Sequence, residues 1–263
     1  MESNDLRSAP PLQIDKRDLI EGLGKGLRVI EAFDDEHPRL SPSEVGRLCE
    51  LTRTAARRYL LSLVHYGYAA TDGKLFWLTP KVLKLGQSYL GSARLPRLVQ
   101  PFIQRASLTS GETLNVSVLD GHEVVYVARS NSPRVVSIGY HPGARVPAHV
   151  VTPGIMLLSG LPDEELDRWI TAHDFSAFTP NTITDREQFR AKVLEARALG
   201  YWVTEQWLDA GLRGIAVPLR DRRGQCKAAL SMTLPMQPLT VEQTIERMLP
   251  LLQDTAQSLR PII

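Results

Sequence analysis

Residues 41–78 hold the pattern that most restricts this chain: two helices with start signals, a three-residue turn between them, then two strand-like runs around Asp72-Gly73. In Leu40-Ser41-Pro42-Ser43-Glu44, Ser41 can accept from first-turn amides, Pro42 suits the first helical position and Glu44 completes a capping box. That helix is expected from Pro42 to about Cys49. Glu50-Leu51-Thr52 is then a tight turn, and Thr52 caps a second helix, Arg53 to Tyr66, with Ala56, Leu60, Leu63 and Val64 on its inner face. Gly67-Tyr68 ends it, and Tyr68–Thr71 and Lys74–Leu78 flank an Asp-Gly pair suited to a tight hairpin turn. Capped helix, short turn, capped helix and hairpin in this order make a winged helix-turn-helix.

The second helix carries the chemistry of the motif. Arg53, Thr54, Arg57 and Arg58 lie at or near its N-terminal half, away from the apolar stripe, and Arg47 adds charge nearby. A recognition helix presents such side chains to the major groove of double-stranded operator DNA, where the planar guanidinium pairs bidentately with guanine or phosphate. Thr54, Arg57 and Arg58 are expected at or near base edges, and Arg53 and Lys74 at phosphates, with Thr52 at the helix start. A solvated charged face would explain the arginine stripe alone; the ordered motif favours DNA. Because the whole chain carries 31 basic and 29 acidic residues, a net charge of only +2, the positive potential must be local.

Around this motif the chain of 263 residues reads as two domains with a linker. Residues 1–18 are polar, contain Pro10-Pro11 and are expected to form a mobile arm; 19–79 is the DNA-binding domain, 80–94 a linker helix and 95–263 an effector-binding and oligomerisation domain. Leu23, Leu27, Ile30 and Phe33 predict an amphipathic first helix. Its Gly22-Leu23-Gly24-Lys25-Gly26 run is no phosphate loop, since a dinucleotide fingerprint needs glycine where Leu27 stands. Val82, Leu85, Tyr89 and Leu90 share one side of the linker helix.

Beyond it, a helix to Ser110 precedes strands Thr113–Leu119, Glu123–Arg129 and Val135–Tyr140, then an irregular stretch from Gly143 to Val151. Helices follow at Pro153–Gly160, Asp163–His173 and Asp185–Leu199, strands at Gly200–Val203, Leu212–Leu219 and Lys227–Leu234, and a terminal helix at Val241–Leu259. The fold class is α+β, with an antiparallel sheet flanked by helices.

Other classes lack their signatures. No apolar run spans a membrane and no apolar signal region opens the chain, so a cytoplasmic location and no membrane partner are expected. Cys49 and Cys226 stand alone, and no GxSxG, HExxH or CxxC occurs. His141 and His149 with Cys226 could be imagined around a metal, but isolated histidines more often bond backbone or water, so no metal is expected.

From about Leu19 the chain resembles the IclR-type bacterial transcriptional regulators. The resemblance rests on LGKGLRVIEAF, LTRTAARRYLLSLVHYGYAATDGKLFWLTPKVLKLGQSYL, VLDGHEVVYVAR, TITDREQFRAKVLEARALGYWVTEQ and GLRGIAVPLRD in this order. Its DNA-binding stretch looks most like the subgroup controlling catabolism of 4-hydroxybenzoate, protocatechuate and other β-ketoadipate-pathway compounds. This resemblance implies a regulator and not an enzyme, needing no cofactor: a winged helix-turn-helix, a linker helix used in dimerisation, a GAF-like effector domain, and homodimers that often pair into tetramers. The effector it implies is a small organic acid, aromatic in this subgroup; a pyruvate- or glyoxylate-like acid is the alternative effector, and a small-molecule enzyme the alternative class.

The effector pocket implied by the resemblance uses Thr152-Pro153-Gly154-Ile155, Thr204, Leu212, Gly214, Ser231 and Thr233. Tyr140, Tyr201 and Trp202 offer surface for a ring, the hydroxyls of Thr204, Ser231 and Thr233 offer polar contacts, and backbone amides near Gly154 offer donors. Two positions depart from the family: Ile155 replaces a usual Lys or Arg, and Gly214 replaces a frequent Ser or Cys. Arg213 is either a substitute partner for a carboxylate or a surface or dimer-contact residue.

Overall fold

The computed structural model describes residues 14–131 and 140–263. Most of the expected arm, and all of the strand expected at Val135–Tyr140 except Tyr140, lie outside the described residues. The chain divides into two compact units, one ending at Gly91 and the other starting at Ser92.

The first unit is built on three helices and a hairpin: α1 (Glu21–Glu31), α2 (Pro42–Leu48), α3 (Arg53–His65), β1 (Ala69–Thr71) and β2 (Phe76–Leu78). Both halves of the capping box on α2 form: Ser41 Oγ accepts from Glu44 N, and Glu44 Oε2 accepts from Ser41 N at 2.7 Å. Such caps contribute about 1 kcal/mol each. Thr52 Oγ1 accepts from Ala55 N at 3.2 Å and starts α3. Val29, Leu40, Val45, Cys49, Ala56, Leu60 and Phe76 make the core. The wing has a third, single-residue member that the sequence reading missed, since Leu40 and Phe76 exchange both backbone bonds.

Close backbone approach fixes the turn between α2 and α3. A β-carbon on Gly46 would lie 2.8 Å from the Leu51 carbonyl oxygen, and Leu51 N donates to Gly46 O at 2.8 Å. Glu50 takes φ 55°, a left-handed conformation that costs a non-glycine residue free energy. A single 3-10 turn, Pro80–Val82, leads into α4 (Leu83–Ser92). Lys81 Nζ donates to Tyr66 O at 2.7 Å, closing the C-terminal end of α3.

The first helix corrects the expectation of one inward stripe. Val29 is fully buried, and Ala32 and Phe33 pack on the core, but Leu23 and Leu27 are 64% and 45% exposed. The helix therefore has a second apolar face, extended by Ile20.

Among the described residues the second unit contains a six-stranded antiparallel sheet in the order β5-β4-β3-β8-β7-β6. Its strands are β3 (Leu114–Asp120), β4 (Glu123–Arg129), β5 (Arg145–Pro147), β6 (Trp202–Glu205), β7 (Leu212–Arg220) and β8 (Cys226–Pro235). Helices α5 (Arg94–Ser110) and α9 (Val241–Leu259) cover one face, with Ile103, Leu114, Val116, Ile215, Leu230, Met232 and Leu252 among the residues between them. Helices α6 (Thr152–Leu158), α7 (Asp163–Ala172) and α8 (Arg186–Leu199) belong to the other side, around Tyr126, Ile155, Met156, Trp169, Phe189 and Trp202. Asp185 caps α8 as its sequence suggests, and Thr240 caps α9. The irregular stretch of the sequence reading contains β5, whose three residues are too short to show a period.

Candidate functional site

In the first unit, Arg53, Thr54, Arg57 and Arg58 are all exposed on α3, and Arg47 and Lys74 are exposed at the end of α2 and in the wing turn. None of Arg47, Arg53, Arg57, Arg58 and Lys74 makes an ion pair among the described residues, although, after the Ser41 hydrogen bonds, the Arg47 charge helps hold the Glu44 carboxyl below its ordinary value. Thr54, Arg57 and Arg58 stand at i, i+3 and i+4 and share one side of the helix. Thr52 differs from them: its hydroxyl is engaged as the helix cap.

In the second unit, strand alternation decides which candidates meet. Leu212 and Gly214 on β7 point with Thr204 on β6 and Thr233 on β8 toward α6, and with Thr152 and Tyr140 they line a cavity of about 40 Å³. Sequence reasoning missed Tyr126, Val150, Val151 and the run Gln206-Trp207-Leu208-Asp209 in this wall. The signal for Tyr126 was its place on the α6 side of β4; the loop carried none. Tyr126 and Tyr140 stack at 4.9 Å between ring centroids, giving an aromatic wall. Tyr140 donates to Asp209 Oδ2 at 3.3 Å, and burial, then the Asp209 carboxylate, pushes its hydroxyl up to about 12. The hydroxyls of Thr179 and Thr182 hold the Gln206 and Trp207 carbonyls, fixing the loop.

The departure at Gly214 has a direct structural account. Thr152 Oγ1 occupies the space a side chain at 214 would need and bonds Thr204 Oγ1 at 2.5 Å. A hydroxyl is thus present at this wall, supplied from α6 and not from β7. Gly154 does not line the cavity; a β-carbon there would lie 1.9 Å from the Ala148 carbonyl oxygen, so glycine lets α6 approach that backbone.

Several candidates stand elsewhere. Arg213 points to the α9 side, opposite its neighbours Leu212 and Gly214. Only 3% exposed, it donates to Glu205 Oε1 at 2.6 and 2.9 Å, to the Leu239 and Thr240 carbonyls at 2.8 Å and to Thr244 Oγ1 at 2.6 Å. It is a buried tie and neither a pocket cation nor a surface contact. Tyr201 also packs on the α9 side. Ile155 is fully buried in the core around α6 and supplies no cavity wall. Ser231 is buried on the α6 face, one row beyond the cavity residues.

A second cavity, of about 370 Å³, is lined by His122, Glu123, His149, His173, Asp174 and Phe178 among others. His149 Nε2 meets the Ser176 carbonyl at 2.9 Å and so must donate. A neutral His149 then accepts at Nδ1 from His173 Nε2 at 2.7 Å, and a neutral His173 accepts at Nδ1 from His122 at 3.1 Å. His173 stacks on Trp169 at 4.3 Å. Burial, then the neighbouring His149 and His122, pulls the His173 imidazole down to about 4. His141 and Cys226 are absent from this cluster, and no group of three or more metal-ligating side chains among the described residues has geometry for an ion.

Residues 22–73 match the IclR helix-turn-helix domain and residues 87–260 match the bacterial transcriptional regulator IclR C-terminal domain. The chain belongs to the IclR family of DNA-binding transcriptional regulators, and its place is with regulators and not with enzymes. It is 39% identical over 256 residues to the p-hydroxybenzoate hydroxylase transcriptional activator of Acinetobacter baylyi, covering 95% of this chain and 94% of that one. A transcriptional regulator from Rhodococcus sp. RHA1 superposes with a TM-score of 0.78 at 41% identity, covering 92% and 97% of the two chains. The inducer-binding domain of a PobR double mutant from Acinetobacter, in complex with 3-hydroxybenzoic acid, has a TM-score of 0.61 at 35% identity, covering 65% of this chain and 100% of that one. No helix among the described residues is long and apolar enough to cross a membrane.

Proposed function

We propose that this protein is an effector-responsive regulator in which a small aromatic acid of the hydroxybenzoate class binds the cavity under α6 and changes operator affinity. The observation that carries this reading is the pairing of an aromatic wall, Tyr126 and Tyr140, with the hydroxyls of Thr152, Thr204 and Thr233 around one space. The likeness to a p-hydroxybenzoate hydroxylase transcriptional activator and to an inducer-binding domain in complex with 3-hydroxybenzoic acid supports it. In this reading Thr54, Arg57 and Arg58 contact base edges while Arg53 and Lys74 contact phosphate, and the protein works in the cytoplasm.

A homodimer fits the exposed apolar faces of the first unit: Ile20, Leu23 and Leu27 on α1, and Leu83, Leu85 and Tyr89 at and along α4. The ligand acts through its different affinities for the regulator's conformations, which set the limit of any switch.

The cavity volume of about 40 Å³ favours a second reading, a two- or three-carbon acid, because benzene-sized guests occupy spaces of roughly 150 Å³. A thermal-shift titration of the purified protein with 4-hydroxybenzoate, protocatechuate, 3-hydroxybenzoate and pyruvate separates the two. A saturable rise with a hydroxybenzoate supports the aromatic reading; a rise with pyruvate alone replaces it.

A further inference from the structure

The buried side-chain nitrogen and oxygen atoms that lack a hydrogen-bond partner among the described residues belong to three side chains: Asn115, at both Oδ1 and Nδ2, Ser117 at Oγ and Trp202 at Nε1. Native interiors leave few such groups, because each has given up its hydration without a bond in exchange. All three belong to the α6 side of the sheet. Leu114, Val116 and Val118 pack on the α9 side, so alternation sends Asn115 and Ser117 the other way, where Trp202 also packs.

Register ties them to the cavity. Ser117 is opposite Tyr126, a cavity wall. Asn115 is opposite Ser231, which is opposite Ala216, which is opposite Trp202. Two residues along the last three strands stand Thr233, Gly214 and Thr204, which line the cavity. Asn115 and Trp202 therefore occupy the neighbouring row, one diagonal step or about 7–8 Å from the floor residues, and Ser117, opposite Ala229, stands one row further along.

We propose that the effector pocket continues beneath α6 from the Thr233–Gly214–Thr204 row to Asn115, and that the Asn115 carboxamide recognises a ring hydroxyl of the effector. The inference rests on the aromatic-acid reading above. A para-hydroxybenzoic acid spans roughly that diagonal step from carboxylate to hydroxyl oxygen. The chemistry selects a hydroxyl: a buried neutral amide does not offset a carboxylate's charge, but Oδ1 accepts from a phenolic O–H while Nδ2 donates to the phenolic oxygen. Trp202 can only donate and lies three strands away, so it is not the reader.

The test compares calorimetric affinities of the full chain for 4-hydroxybenzoate and benzoate. Wild type is expected to prefer the hydroxylated ring by tenfold or more. Asn115→Leu should bring that ratio close to one with benzoate affinity within about threefold, and should not lower the unfolding temperature of the free protein, because it removes an unpartnered buried amide. Asn115→Ala provides the same ratio if leucine disturbs packing, and Trp202→Phe should leave the ratio intact. A hydroxyl preference that survives both Asn115 variants, or is lost in Trp202→Phe instead, overturns the inference and leaves the aromatic reading standing. Binding of neither acid by wild type overturns the aromatic reading, and this inference with it.

Discussion

A β-carbon placed on Gly214 would stand 1.9 Å from Thr152 Oγ1, so the two residues share one volume across the β7–α6 contact. Gly214→Ala is expected to destabilise the protein by about 1–3 kcal/mol, the usual cost of overpacking. Thr152→Ala should restore part of that loss in the double variant, since it removes the 1.9 Å overlap and leaves contacts of 3.0 Å to the Thr152 β-carbon position and 3.1 Å to Thr204 Oγ1. Urea denaturation of the four proteins measures the coupling; additive losses would mean that the volumes are not shared.

The unpaired cations of the first unit should divide by what they touch. Arg57→Ala is expected to weaken specific operator binding by about 1–3 kcal/mol and random DNA much less. Lys74→Ala should weaken both alike and reduce the salt slope by about one. Binding isotherms on specific and random duplexes at several salt concentrations check this, and equal losses for both variants on both duplexes would refute the division.

The histidine chain makes the second unit acid-sensitive. His173 titrates at about 4 in the folded state against 6.5 as its ordinary value, so the unfolded chain binds more protons in between. Its contribution to stability is full above pH 6.5 and is lost as the pH falls toward 4. His149 is lowered in the same direction by burial. The charged groups around the pair are Asp174, which favours protonation, Arg186, which opposes it, and Glu123 in the cavity wall. Unfolding free energies at pH 7, 5.5 and 4.5 should fall steadily, and His173→Gln should flatten the slope.

Leu23 and Leu27 are exposed on the first unit, so charging them tests association without touching its core. The Leu23→Glu, Leu27→Glu double variant should sediment as a smaller species than wild type with stability changed by no more than about 0.5 kcal/mol per site. An unchanged sedimentation coefficient would place the subunit contact elsewhere.

Local signals made much of this legible in the sequence. Ser41 with Glu44, Thr52 and Asp185 announce helices because a cap is a contact within four residues; the Thr240 cap of α9 was not singled out. The wing was readable from Asp72-Gly73, whereas the Leu40–Phe76 pairing has no period to detect. The two apolar faces of α1 merged into one apparent stripe, because periodicity does not say which leucine meets the core. Arg213 was misplaced since its role depends on Glu205, Leu239 and Thr244, distant in sequence. The polar alternation of Asn115 and Ser117 among Leu114, Val116 and Val118 was visible, but its burial under α6 was not.

Arg213 also bears on how the cavity can enlarge. Its guanidinium joins β6, the turn before α9 and α9 itself from the residue between Leu212 and Gly214. The strand that forms one wall of the cavity is thereby bolted to the helix behind the sheet by charge-assisted hydrogen bonds from the guanidinium to the Leu239 and Thr240 carbonyls and Thr244 Oγ1. The opposite side is the 206–209 loop, held by the Tyr140–Asp209 bond, two threonine hydroxyls, the backbone bonds Gln206 N to Leu212 O and Leu212 N to Asp209 O, and the packing of Trp207 and Leu208. In the proposed reading the strand carrying Arg213 is the fixed jaw of the pocket and the 206–209 loop the yielding one, so selection among ligands of different length falls to the loop.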